Sequence, residues 1–126
     1  MTANAPFHAG DVTSAIQTAR TKSLPLLVAL HCTDDQASDA LDAKWGDKAS
    51  PLHAELARET GWVAIRLERG TTAAQQFTEL FPCEEFPAVM AVNPANGVKL
   101  HEAVGAEATR DDKRLAEALK GCREAL

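Results

Sequence analysis

Three cysteines, Cys32, Cys83 and Cys122, are the most reactive side chains of this 126-residue chain. Thiol–disulfide exchange needs a thiolate nucleophile and a second, nearby thiol that resolves the mixed disulfide. Cys32 has no cysteine beside it, and Asp34 and Asp35 follow closely with negative charge, which disfavours a thiolate. We therefore expect Cys32 to be a small, partly buried residue. A monothiol sensor or a site for glutathione is the alternative.

The histidines and acidic residues do not form a metal-binding pattern. His31 adjoins Cys32 and His101 lies far along the chain, but no CxxC or HxxxH pair provides the ligand spacing of a zinc site. His53 and Glu55 lie too close together in one predicted helix to share a face. The GxSxG, P-loop and GxGxxG motifs do not occur. The sequence thus predicts no catalytic set, no metal and no cofactor.

Two short acidic segments are candidates for recognition. Asp34-Asp35 follows a predicted strand, and Glu84-Glu85 directly precedes Phe86-Pro87. On the fold predicted below, both segments would lie at the same edge. A negative rim around Phe86 would suit a basic partner. The alternative is that both segments are solvated loops, which is the usual place of charged runs.

The composition is that of one globular domain, which we expect to span residues 1–126 with residues 1–6 flexible. The chain is 45% hydrophobic and 25% charged. Its net charge of −5, without a run of lysines or arginines, argues against nucleic acid and anionic membranes as main partners. The longest apolar stretch, Leu24 to Leu30, is too short to span a bilayer, and we expect no signal peptide. The three widely spaced cysteines favour reduced thiols and a cytoplasmic location.

Apolar spacing predicts the secondary structure, since a helical period marks helices and short apolar or alternating runs mark strands. Helix starts are predicted from capping residues: Asp11, Ser50 before Pro51, Thr72, and Thr109 with Asp112 in a spacing like a capping box. Inner-facing helix positions include Ala57, Leu80 and Leu126. The predicted strands are 24–31, 62–68, 86–92 and 98–104. The predicted helices cover 12–19, 34–45, 51–57 and 73–81, with a last one from 109 onward.

The order of these elements predicts an α/β fold. A strand–helix–strand unit followed by a β-hairpin and a helix gives a central four-stranded mixed sheet flanked by helices. The first strand is central, in the sheet order second, first, third, fourth, and the third strand runs antiparallel to the first. This is the thioredoxin-like arrangement. Leu27, Ile65 and Val89 are predicted to be buried on its strands.

Three segments carry a family resemblance: FHAGDVTSAIQTARTKSLPLLVALH, SDALDAKW and WVAIRLERGTTAAQQFTELFPCEEFPAVMAVNPANG. They resemble the UAS-type thioredoxin-like domains of UBX-domain proteins, over nearly the whole chain from Phe7 to about Leu119. The resemblance implies a thioredoxin fold without redox chemistry. It also implies an adaptor role in the ubiquitin pathway, including degradation at the cytoplasmic face of the endoplasmic reticulum. In such proteins a separate UBX domain docks the valosin-containing AAA ATPase, and we expect none within these 126 residues.

The resemblance also implies where a site would lie. Aligning Leu26 to Leu30 with the family's first strand places the redox tetrad at Asp35-Gln36-Ala37-Ser38, where neither end is cysteine. The chain is therefore expected not to be an enzyme. Pro87 matches the family's cis-proline before the third strand; a trans proline at a strand start is the alternative.

In active thioredoxin-like enzymes this corner binds the substrate peptide. The implied protein-interaction residues are Asp34, Asp35, Gln36, Glu85, Phe86 and Pro87. One alternative is that binding has moved to the outer helices. The alternative function is a thiol-dependent redox enzyme or sensor that uses Cys32. Some UAS domains bind fatty acids, but the sequence shows no basic patch for that role.

Overall fold

The computed structural model describes residue 7 and residues 12–58 and 61–125. Two predicted features, the Asp11 cap and the inward position of Leu126, fall outside these residues, as does the expected flexibility of residues 1–6. No helix among the described residues is long and apolar enough to cross a membrane. The strands are β1 Leu26–His31, β2 Val63–Glu68, β3 Ala88–Asn93 and β4 Val98–Val104. The helices are α1 Val12–Lys22, α2 Gln36–Gly46, α3 Pro51–Leu56, α4 Thr72–Leu80, α5 Ala106–Thr109 and α6 Asp112–Glu124.

The four strands form one mixed sheet in the order β2-β1-β3-β4. β1 runs parallel to β2, with Leu27 opposite Ala64, and antiparallel to β3, with Leu27 opposite Ala91. The hairpin partner β4 runs antiparallel to β3, with a register shift between Ala91 and Val92. The predicted sheet order and strand directions are therefore confirmed.

Helices cover both faces of the central part of the sheet. Because side chains of a strand alternate between the two faces, each strand contributes residues to two cores. Leu27 and Ala29 of β1 lie in a core with residues of α2, α3 and α6. Val28 and Leu30 lie in a second core with residues of α1 and α4. The predicted burial is confirmed for Leu27, Ile65 and Val89, which are 0%, 3% and 0% exposed.

A buried ion pair fastens α3 to α6. The Glu55 carboxylate accepts hydrogen bonds from Arg123 Nε at 2.5 Å and from Trp62 Nε1 at 2.9 Å. A buried charge without a partner is costly, so both donors stabilise the Glu55 carboxylate. Since Arg123 belongs to α6 and Trp62 directly precedes β2, these bonds also hold α6 and the start of β2 against α3. His53 instead contacts the Trp45 carbonyl oxygen through Nδ1 at 2.7 Å, so the two neighbouring side chains serve different contacts.

Two predicted helix caps were wrong by a residue or more, and one short helix was not predicted. Thr71, not Thr72, caps α4, because its hydroxyl oxygen accepts the Ala74 N–H. Asp111, not Thr109, caps α6 by accepting the Arg114 N–H. Thr109 instead ends the short helix α5, which the sequence did not predict, and its hydroxyl donates to the Gly105 carbonyl oxygen. Each true cap lies where the side chain can reach a free N–H in the first turn.

Two predicted inner positions and three strand starts also differ; β2 begins at Val63, one residue later than predicted. Ala57 is exposed because α3 ends at Leu56. Leu80 is 76% exposed, since Phe81 stacks on Phe77 and fills the inner side of the last turn of α4. β1 begins at Leu26 and β3 at Ala88, so Leu24 and the Phe86-Pro87 pair precede their strands.

Candidate functional site

The candidate site is the corner where β1 and β2 end and the chain enters β3. We call it the proline corner and define it as residues 32–36, Arg69 and residues 84–87. It contains all six residues that the sequence singled out for protein interaction. β1 and β2 are parallel, so their carboxyl ends meet at this edge of the sheet.

The amino terminus of α2 carries a carboxylate and a hydroxyl. Asp35 caps the helix and accepts the Ser38 N–H at 2.9 Å and the Ser38 hydroxyl at 2.8 Å. Two hydrogen bonds hold the pKa of Asp35 below its ordinary value: the one from the Ser38 hydroxyl has the larger effect, and the one from the Ser38 N–H the smaller. Gln36 begins the helix and is exposed, and the exposed Asp34 before it has a left-handed backbone with φ 63°. The two ends of the predicted tetrad are thus bonded to each other.

Cys32 directly follows β1 and is half-buried. Its backbone N–H donates to Ser38 Oγ at 3.2 Å, which ties the strand end to the first turn of α2. Its sulfur lies 3.6 Å from the Thr33 carbonyl oxygen and 3.8 Å from Arg69 Nη1. The thiol therefore has a cation as neighbour, in addition to the acidic residues that follow it in the sequence.

Arg69 joins the two loops of the proline corner. Besides contacting Cys32, its guanidinium lies 5.5 Å from the centre of the Phe86 ring, within cation–π range. Arg69 was not among the site residues that the sequence predicted. The signal lies in the register: His31 pairs with Glu68, so the residues that follow them, Cys32 and Arg69, leave the sheet side by side.

The peptide bond between Phe86 and Pro87 is cis, as the resemblance implied. Pro87 is buried, and its carbonyl oxygen accepts the Gly105 N–H at 2.8 Å. Pro87 and Ser38 line the same small void beneath α2, which places the cis-proline against the start of that helix. The preceding residue Phe86 is half-buried.

An open cleft of about 590 Å³ extends from Phe86 and Arg69 along one flank of α4. Gln75 and Thr78 of the helix form one wall, and Cys83 and Glu84 form part of the other. Glu84 in this lining is exposed, as are Glu85 and Asp34 elsewhere in the proline corner. Arg69 adds a positive charge to the same lining, and an acidic rim that recognises a basic partner stays a prediction.

Behind the corner, His31 is 9% exposed and lies between two carboxylates. Its Nδ1 contacts Glu68 Oε1 at 3.0 Å, and its Nε2 contacts Asp39 Oδ1 at 3.3 Å. Glu68 also accepts the Thr33 hydroxyl at 2.6 Å. These contacts link β1, β2 and α2 below the loop that carries Cys32 and Asp35. Among the described residues, no group of three histidine, cysteine or acidic side chains converges as a metal site.

The other two cysteines lie outside the start of α2. The pKa of Cys83 is raised, mainly by burial and in addition by the charges of Glu102 and Glu85. Its hydrogen bond to the Glu85 carbonyl oxygen acts in the opposite direction but does not outweigh them. Burial alone raises the pKa of Cys122 in α6. All three cysteines are free thiols. A raised pKa leaves little thiolate near neutral pH, so Cys83 and Cys122 are weak nucleophiles.

The comparisons with known proteins identify the fold. No protein-family model matches the chain, and no curated protein matches it in sequence. Solved structures do match. A thioredoxin from Thermus thermophilus is 14% identical with a TM-score of 0.72, over 92% of this chain and 86% of that one.

Two further structures are similar. A thioredoxin from Trichomonas vaginalis is 15% identical with a TM-score of 0.64, over 94% of this chain and 98% of that one. A disulphide isomerase from Xylella fastidiosa is 17% identical with a TM-score of 0.63, over 90% of this chain and 92% of that one. At such low identity the likeness establishes a thioredoxin-like fold, which confirms the predicted fold class.

Proposed function

We propose that this chain is a non-catalytic protein-interaction domain built on a thioredoxin-like fold. The observation that carries the proposal is the pair at the start of α2, where Asp35 and Ser38 are hydrogen-bonded to each other. Disulfide exchange requires a thiolate there and a second thiol to release the product. A carboxylate and a hydroxyl can do neither, so this pair cannot carry out disulfide exchange, and we infer that the corner serves for binding.

The proline corner has the features of a docking surface. Phe86 offers a half-open aromatic ring, Arg69 a cation, and Asp34 and Glu85 exposed carboxylates. Aromatic and arginine side chains are the groups that most often dominate binding energy at protein interfaces. The cleft beside them, of about 590 Å³, is the place where side chains of a bound peptide would lie.

We further propose a narrower assignment, which rests on the resemblance of three sequence segments to the N-terminal domain of UBX domain-containing protein 4. We place the domain as an adaptor of the ubiquitin pathway, in the cytoplasm or at the cytoplasmic face of the endoplasmic reticulum. Contact with the valosin-containing AAA ATPase would then require a UBX domain on the same polypeptide or on a partner. Affinity purification of the tagged protein from cell extract tests this: recovery of ubiquitin-pathway proteins supports it, and their absence contradicts it.

The absence of catalysis is tested with two thiol assays. The protein is incubated with insulin and a reductant, and separately with glutathione disulfide. We expect neither insulin reduction above background nor a mixed disulfide at Cys32, and Cys32→Ser should behave as the parent does. Activity that disappears in Cys32→Ser would overturn the proposal.

The docking role is tested by chemical-shift mapping with the partner that purification recovers. Shifts should cluster at residues 34–36 and 85–87, and Phe86→Ala should weaken binding while the exposed Lys113→Ala on α6 should not. Aromatic interface anchors usually contribute more than about 1 kcal/mol. Shifts confined to residues 109–125 would show that binding has moved to the outer helix.

A thiol function of Cys32 is the second candidate, and one contact favours it. Arg69 Nη1 lies 3.8 Å from the Cys32 sulfur, and a neighbouring cation stabilises a thiolate. In such a reaction the thiolate would attack glutathione disulfide, form the mixed disulfide and release one glutathione thiolate. This candidate predicts that Arg69→Ala slows formation of the mixed disulfide, whereas the docking proposal predicts no reaction to slow.

A further inference from the structure

A second groove lies on the opposite flank of α4, between that helix, α1 and the turn from β3 to β4. It encloses about 470 Å³. Ile16, Leu26, Phe77 and Val92 line it, together with Phe81, whose ring stacks on Phe77 at 5.0 Å. The groove is thus apolar, in contrast to the polar cleft beside the proline corner.

The most exposed large apolar side chain, Leu80, lines this groove. Among the described residues, the large hydrophobic side chains that are exposed are Leu80 at 76% and Val98 at 52%. Leu80 lines the groove, and Val98 directly follows Gly97, which also lines it. A rim and interior that are apolar together mark a surface that a partner covers.

The charge beside the groove is positive, although the whole chain has a net charge of −5. α1 carries Arg20 and Lys22 in its last turn, and its sequence VTSAIQTARTK contains no acidic residue. Arg20 lines the groove, and its Nε donates to the Pro94 carbonyl oxygen at 2.8 Å. This bond fixes the guanidinium at one end of the apolar surface, where it would pair with an acidic group.

We propose that the groove binds an amphipathic helix of a partner protein, with apolar side chains against the groove and a carboxylate paired with Arg20. The walls are α1, α4 and the turn from β3 to β4, and the strands beneath them, β1 and β3, are bonded on both sides. An extended peptide therefore finds no free strand edge to pair with in the groove. A helix satisfies its own backbone hydrogen bonds and can present apolar side chains at i, i+3, i+4 and i+7 to the groove and to Leu80.

The charges also disfavour a second copy of this chain as occupant. A two-fold contact through the groove would bring α1 of both copies to one interface, and each α1 carries only positive charge. The proposed surface is separate from the proline corner, since α4 lies between them. Loss of binding at one surface therefore leaves the other intact, and the two proposals fail independently.

The test uses the full chain, labelled with ¹⁵N, and a synthetic helical peptide as probe. The peptide has leucines spaced i, i+3, i+4 and i+7 with a glutamate next to the last leucine, and a matched peptide has lysine at that position. We expect the acidic peptide to bind at least about tenfold more tightly than the basic one, since Arg20 attracts the glutamate and repels the lysine. A tenfold difference corresponds to about 1.4 kcal/mol. Shifts should map to α1, α4 and the β3–β4 turn.

Three variants make the test specific. Leu80→Ser should weaken binding about fivefold or more, within the range of interface truncations. Arg20→Glu should abolish or reverse the preference for the acidic peptide. Lys113→Glu, a charge reversal on α6 at the opposite face of the sheet, should change affinity less than about twofold. Leu80 and Arg20 are both exposed, so these substitutions leave the cores intact.

Several results would overturn the inference. They are no binding of the acidic peptide, equal affinity for both peptides, or shifts confined to the proline corner. Leu80-dependent dimerisation in sedimentation would assign the groove to a second copy. Contacts of Leu80 with residues 1–6 of the free chain would assign it to the protein's own terminus. Groove occupation by dodecanoate in place of the peptide would assign it to an alkyl carboxylate.

Discussion

At the scale of single residues, Glu68 lies behind the proline corner and contacts three polar side chains, those of His31, Thr33 and Arg66. Burial opposes its charged form, but the hydrogen bonds from Thr33 and His31 and the charges of His31 and Arg66 outweigh it, so the pKa of Glu68 is lowered. Arg66 Nη1 lies 3.5 Å from Glu68 Oε1. The ionised carboxylate is therefore the form that the folded protein prefers.

This preference makes stability depend on pH. A carboxyl whose pKa is lower in the folded state contributes stability that is complete above its unfolded pKa, about 4.3 for glutamate, and is lost as the pH falls through the folded value. We expect the free energy of unfolding of the parent to fall more steeply below about pH 4.5 than that of Glu68→Gln. Urea titrations at a series of pH values measure both slopes.

The control for this prediction is Glu117→Gln, at an exposed position of α6. Its slope should match that of the parent, because an exposed carboxylate gains little from folding. If Glu68→Gln also keeps the parent slope, the contacts of Glu68 do not favour the ionised form.

The sequence allowed part of the candidate site to be predicted at this scale. The sequence shows directly that Asp35 and Ser38 are not cysteines, and it also places Pro87 at the start of the third strand. Arg69 could not be found in the same way, because its contacts with Cys32 and Phe86 depend on the register of two parallel strands. Alternating apolar residues locate a strand but do not fix its register against a neighbour.

At the scale of elements, β2 lies at one edge of the sheet but is buried on both faces. Its Ile65 is 3% exposed and lies in the core that α1 and α4 cover. Arg66 is exposed between buried neighbours and pairs with Asp42 of α2 at 2.7 Å. The strand is therefore held by its pairing with β1, by apolar packing and by polar contacts of Arg66 and Glu68 with α2 and β1.

Replacing Ile65 with alanine should lower the free energy of unfolding by about 2–5 kcal/mol, because the cavity left in a packed core adds to the lost transfer energy. Chemical denaturation measures the change. Val98→Ala is the matched control, since Val98 is 52% exposed on β4 and should cost much less. An unchanged midpoint for Ile65→Ala would mean that β2 does not pack as described.

Sequence periodicity located most elements and failed at specific ones. The four-residue helix α5 is too short for a period to be visible. Leu80 fits the apolar stripe of α4 yet faces solvent, because Phe77 and Phe81 stack and occupy the inner side. A periodic pattern assigns a face to each residue but does not say which of two candidates fills the limited space there.

At the scale of the whole molecule, the sheet has a protected centre and a more open side. β1 is bonded to strands on both sides, and all six of its residues are buried. β4 is an outer strand, and no described strand pairs with its far edge. Most of its residues are exposed or half-buried.

Amide hydrogen exchange should follow this gradient. The amides of β1 and β3 should exchange most slowly, because they open only with the whole domain, and those of β4 should exchange faster through local opening. Exchange followed by NMR on the native protein measures the rates strand by strand. Equal protection in β4 and β1 would contradict the prediction and indicate that the outer edge is covered in solution.

The position of β1 at the centre of the sheet also affects how the protein is made. Ala88, the first residue of β3, follows His31, the last of β1, by 57 positions. A ribosome adds about 5–20 residues per second, so β1 waits roughly 3–11 s for the partner that closes its second edge. During that interval the nascent chain displays the apolar segment LLVAL with both edges open until β2 is made and with one edge open after that, a template for pairing with other chains. The hazard of aggregation belongs to synthesis, because both edges of β1 are bonded in the completed domain.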